Sequence, residues 1–87
     1  ETEDFEKARE YYLKCNKISK TLDNKRNYGV SYLNLANITI RSGNPDKAYE
    51  YISKGKSILY AAEDKIGIAY AAMLEGDILA IQHNVDQ

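Results

Sequence analysis

The feature that most constrains this chain is its similarity to itself at a shift of 40 residues. Of the 47 residue pairs that such a shift leaves in a chain of 87, ten are identical, where average composition gives roughly three. Lys7, Ala8, Glu10, Tyr11, Lys14, Ile18, Lys25, Ile38, Asn44 and Asp46 recur as Lys47, Ala48, Glu50, Tyr51, Lys54, Ile58, Lys65, Ile78, Asn84 and Asp86. A fixed period of this length marks a stacked repeat, in which each unit buries its apolar face against the next. The breaks between units are legible too. Gly43 suits the left-handed end of a helix, Asn44 can cap the next one and Pro45 can open it. Softer polar joints lie at 22–25 and 62–65, each after an apolar periodic run. Four helices are therefore expected, over 5–22, 25–42, 45–62 and 65–82, each about 27 Å long at 1.5 Å per residue. Their short joints require antiparallel neighbours. The matched pairs Glu10–Lys14 and Glu50–Lys54 have the i,i+4 spacing and order that support a helix.

Composition narrows the function classes. With 44% hydrophobic and 29% charged residues the chain can fold, and at 87 residues it has material for one compact domain only. A formal net charge of -1 supplies no overall field toward nucleic acid or an anionic membrane. The run Lys14, Lys17, Lys20, Lys25 and Arg26 is read as a solvated face rather than a nucleic-acid contact. No apolar run is long enough to span a bilayer. The single Cys15 has no partner for a disulfide or a thiol metal site, which points to a reducing, cytoplasmic setting. It is expected to be a small buried hydrophobe, and His83, the one histidine, to complement the end of the last helix. No nucleophile, base and orienting group assemble, and neither a phosphate loop nor a cofactor motif is present, so a non-enzyme without cofactors is expected. The chain opens Glu-Thr-Glu, as a piece of a larger protein would.

The stretch 32–55 places small residues Ala36, Ala48 and Gly55 among large apolar ones, as two closely crossing antiparallel helices need. At these residues the chain resembles the tetratricopeptide repeat family. Leu35-Ala36 is similar to the family's Leu-Gly pair, Gly43-Asn44 to its turn, and Tyr32 to its first large aromatic. Ala48, Tyr51 and Gly55 fall on its small and aromatic second-helix positions. The outer copies depart from the pattern: Ala72 and Glu75 replace the aromatic and the leucine, Glu3 stands at the turn glycine, and Phe5 replaces a tyrosine. Gly76 keeps the small crossing position.

This resemblance implies an all-α, right-handed superhelical stack, with one complete repeat at 29–62 flanked by the second helix of an earlier repeat (5–22) and the first helix of a later one (65–82). The 40-residue period exceeds the family's common 34 and resembles its long-helix subclass, found in motor light chains, bacterial regulators and sensor regions. It implies a protein- or peptide-binding scaffold in a signalling or regulatory protein, with a structural spacer as the alternative. The groove that the family uses would be lined by Val30, Leu33, Asn37, Arg41, Tyr70, Met73 and Asp77. Carboxylate clamping is disfavoured, because Leu33 and Met73 stand where cations are needed and Asp77 opposes an anion. The tyrosines Tyr11, Tyr12, Tyr28, Tyr32, Tyr51 and Tyr60 are expected to pack at core and rim. The last helix carries Ile68, Ala69, Ala72, Ile78, Leu79 and Ile81, too much apolar surface for one neighbour to cover. That edge is expected to drive self-association or helix exchange between copies.

Overall fold

The computed structural model describes the backbone over residues 2–22 and 24–86 and the side chains over 4–22 and 24–82. Four helices follow one another, α1 (Thr2–Thr21), α2 (Lys25–Arg41), α3 (Pro45–Ala61) and α4 (Lys65–Asp86). The expected boundaries hold to within a residue for α2 and α3. α1 begins three residues before position 5 and α4 continues to Asp86. The side chain of His83 lies outside the described residues.

The turns form as their residues dictate. After α2, Gly43 takes a positive φ of 93° and donates its N–H to Ile40 O, while Asn44 N–H reaches back to Thr39 O, both at 3.0 Å. These two bonds satisfy carbonyls that the helix end leaves open. Asn44 then accepts from Lys47 N–H at 3.3 Å, capping α3 with Pro45 in its first turn. The α3–α4 turn repeats the geometry with Glu63 at φ 54° in place of glycine. Glu63 N–H bonds Tyr60 O, Asp64 N–H bonds Leu59 O, and Asp64 Oδ1 accepts from Gly67 N–H at 2.9 Å. Asn24 caps α2 in the same way through Asn27 N–H.

Helix α2 is the centre of the stack. It packs on α1, α3 and α4, whereas the backbone of α1 comes close to that of α2 alone among the described residues. At 100° per residue its positions divide into three rows. Gly29, Leu33, Ala36 and Ile40 are buried, and together with Ala48, Ile52 and Leu59 of α3 and Ala71, Leu74 and Ile78 of α4 they build the core. Ser31, Leu35 and Thr39 are buried on a second row, where Ser31 Oγ accepts from Asn16 Nδ2 of α1 at 2.7 Å and donates to Tyr28 O. Thr39 Oγ1 likewise donates to Leu35 O at 2.6 Å, so both buried hydroxyls have partners.

Close approach sets the spacing of α2, α3 and α4. A Cβ on Gly55 would stand 2.8 Å from Gly29 O, so α2 and α3 touch backbone to backbone. Leu59 fills the space that two other glycine contacts leave open: a Cβ on Gly29 would meet its Cγ at 2.7 Å, and one on Gly67 its Cδ2 at 2.6 Å. The fully buried Leu59 is thus gripped between α2 and α4. Two ion pairs tie elements together at the surface, Arg26–Asp64 at 2.6 Å and Lys56–Glu75 at 3.0 Å.

Candidate functional site

The third row of α2, Val30, Asn34, Asn37 and Arg41, lies between the two buried rows on the remaining face of the helix. Val30, Asn34 and Asn37 are half-buried and Arg41 is exposed. This row abuts α4 at Tyr70, whose hydroxyl donates to Asn34 Oδ1 at 3.0 Å. The Tyr70 phenol pKa is raised, first by burial and then by the neighbouring Tyr12 of α1, while a hydrogen bond with Asn37 acts in the opposite direction. The Asn34 amide therefore holds the tyrosine hydroxyl at the α2–α4 seam, with Asn37 one turn on and Tyr12 of α1 near the same place. Asp77 is exposed further along α4.

One expected groove residue is misplaced. Leu33 is 0% exposed and lies in the core row against α3, so it cannot line a groove; Asn34, one position on, occupies its place. Met73 is 56% exposed. It is the counterpart of Leu33 under the 40-residue shift and, unlike Leu33, stays at the surface within one turn of Tyr70 and Asp77. Asn34 and Tyr12 were not anticipated. Asn34 could have been found from the α2 rows, since 30, 34, 37 and 41 keep the 4-3-4 spacing of one helical face. The expected association edge is also redrawn. Ile78 is 3% exposed and sits in the core, and Ile68 and Ile81 pack partly against it, because α4 turns these residues toward α2 and α3. Ala72 and Leu79 do lie exposed, beside Ile66 and Ala69.

Arg41 is shared with a second feature, a cleft of about 420 Å³ where the start of α1 meets the α2–α3 turn. Phe5, Arg9, Lys47 and Tyr51 also line it, and Arg9 is paired with Glu6 at 3.0 Å. Beside it, Tyr28, Tyr32 and Tyr51 form a chain of rings, with the Tyr28 and Tyr32 hydroxyls 3.1 Å apart. The Tyr32 pKa rises to about 12, chiefly through the bond with Tyr28 and burial. Lys47 lies over the Tyr51 ring and Lys54 over the Tyr32 ring, at 5.3 and 5.8 Å. These tyrosines pack at the rim as expected, but Tyr11 and Tyr60 are mostly exposed. Cys15 is half-buried rather than buried. Lys14, Lys17, Lys20, Lys25 and Arg26 are all exposed, with Arg26 engaged by Asp64. Among the described residues no group of three His, Cys, Asp or Glu side chains could hold a metal, and no helix is long and apolar enough to cross a membrane.

Antiparallel helices stacked at a 40-residue period, with a polar row facing the next like helix, define a helical-repeat protein of the tetratricopeptide type. Comparison with known families agrees: the tetratricopeptide repeat model matches residues 1–22 and 30–58, more than half of the chain. The chain belongs to the tetratricopeptide repeat family, whose repeats generally mediate protein–protein interactions. No curated protein and no solved structure matches it significantly.

Proposed function

We propose that the chain is a non-catalytic module of a larger signalling or regulatory protein and holds a protein segment in extended form along the α2–α4 seam. The complete repeat is then α2–α3, with α1 the second helix of an earlier unit and α4 the first helix of a later one. The observation that carries this reading is the hydrogen bond from the half-buried Tyr70 to Asn34, which fixes the polar row of α2, Asn37 included, along the seam. An amide side chain offers both a donor and an acceptor, the complement of a peptide backbone. Rows held by a packed seam present those groups with little ordering cost. Val30 supplies apolar contact, Arg41 and Asp77 supply opposite charges at separate points, and together they suit a segment of mixed character rather than a terminal carboxylate. Tetratricopeptide proteins typically serve as non-enzymatic scaffolds, and the signalling role rests on the likeness of the long period to the long-helix subclass.

A peptide-display selection on the immobilised chain tests the reading. Enriched sequences should lose at least about tenfold in affinity, roughly 1.4 kcal/mol, on Asn37→Ala or Asp77→Ala, with helicity unchanged by circular dichroism. Enriched peptides indifferent to both substitutions would place recognition elsewhere on the surface.

A further inference from the structure

The cleft where the start of α1 meets the α2–α3 turn recurs one repeat further on. A second cleft, of about 490 Å³, lies between the start of α3 and the end of α4. Five of its six lining residues, Asp46, Tyr49, Ile78, Leu79 and Gln82, are the 40-residue counterparts of Glu6, Arg9, Ile38, Thr39 and Ser42 in the first. The recess is therefore a property of the repeat. Neither α2 nor the α2–α3 turn lines the second cleft, so a helix and turn standing before α1 in a longer stack would lie clear of the first. The first has its far wall as well, because α3 contributes Lys47 and Tyr51. It stays open because the backbones of α1 and α3 each approach α2 but, among the described residues, not each other.

The charge of the first cleft, by contrast, is its own. It sets Arg9, Arg41 and Lys47 against the single anion Glu6, whereas the second cleft holds Asp46 and Glu75 and no cation. Tyr49 and Ile81 stand where the first unit has Arg9 and Arg41, so the fold itself does not call for these cations. Arg41 is exposed and has no acidic partner among the described residues. Arg9 bonds Glu6 only in an exposed pair, which is weak and leaves guanidinium donors over. Lys47 over Tyr51 and Lys54 over Tyr32 carry the positive edge along α3. On a chain of net charge -1, this concentrates positive potential in one recess.

We propose that this cleft is a second binding site, and that it takes an acidic segment of a partner protein in which carboxylates flank one apolar or aromatic side chain. The carboxylates meet Arg41, Lys47 and Arg9, and the apolar side chain lies against Phe5, Ile38 and Tyr51. That apolar lining selects a segment over a bare anion, which makes no use of it. At about 420 Å³ the cleft falls within the range of about 300–1,000 Å³ usual for ligand sites. It shares Arg41 with the α2–α4 seam but does not rest on the seam being a peptide site.

The probe is a blocked peptide, Glu-Asp-Phe-Asp-Glu, titrated into the 87-residue chain and followed by backbone amide NMR. Its neutral Gln-Asn-Phe-Asn-Gln counterpart and a version with serine in place of phenylalanine serve as controls. Shifts are expected at 5–9, 38–44 and 47–51, with affinity falling at least about fivefold as salt rises from about 50 to about 300 mM. Both controls should bind at least about tenfold more weakly. So should the acidic peptide to a chain carrying Arg9→Gln and Lys47→Gln, two exposed positions off the seam, with helicity unchanged by circular dichroism. No binding, equal affinity for either control, shifts confined to 30–37 and 70–77, or an affinity indifferent to the double substitution would overturn the proposal.

Discussion

Replacing Leu59 with alanine is expected to cost about 2–5 kcal/mol in urea unfolding, because a fully buried side chain gripped from two sides leaves a cavity that cannot collapse. The glycines around it make the sharper contrast. Gly67→Ala gains helix propensity of about 1 kcal/mol, yet its new Cβ would stand 2.6 Å from Leu59 Cδ2. Leu59 has no room to yield, since Gly29 backs it on the other side. The overpacking penalty, about 1–3 kcal/mol, should exceed the gain and lower the unfolding midpoint. A midpoint raised by Gly67→Ala would show that Leu59 can move aside. The sequence shows Gly55 as a crossing residue because it recurs among family positions; it does not show Gly29 and Gly67, whose role depends on Leu59 reaching two helices at once.

At the scale of elements, the α3–α4 turn concentrates both strain and charge. Glu63 holds a positive φ of 54° that costs a residue with a β-carbon roughly 1 kcal/mol. Glu63→Gly is accordingly expected to raise stability by about 0.5–1 kcal/mol, the native geometry being kept and the strain removed. Next to it Asp64 caps α4, and its carboxyl pKa is lowered, first by the Gly67 N–H and then, against some desolvation, by Arg26. A depressed folded-state pKa means that the stabilisation is present above the ordinary carboxylate range and is lost as pH falls through the folded value. Wild type should therefore lose stability on acidification below about pH 4, and Asp64→Asn should flatten that part of the profile. An unchanged acid slope in the variant would mean that other carboxylates govern it. Helix existence and the Gly43-Asn44-Pro45 turn were legible from residue chemistry alone. The left-handed Glu63 was not, because nothing in a glutamate announces a positive φ, although its turn closes with the same two reverse hydrogen bonds as the one at Gly43.

At the scale of the molecule, the repeat register is what the sequence carries most clearly and the faces of the helices least clearly. The 40-residue identities place α2 against α4 in type. Which residues of α2 meet α3 and which meet α4 is set by about a third of a helical turn. Leu33 and Asn34 exchange roles across that angle. The seam built by Asn34, Asn37 and Tyr70, with Val30 and Asp77 beside it, is the central functional assignment. It is tested most directly by backbone amide NMR of the chain titrated with a peptide enriched on it. Shifts clustered at 30–41 of α2 and 70–77 of α4 are the expected result, reduced at least about tenfold in affinity by Asn37→Ala. Shifts confined to the cleft of Phe5, Arg9 and Lys47, or to the outer face of α4, would contradict it.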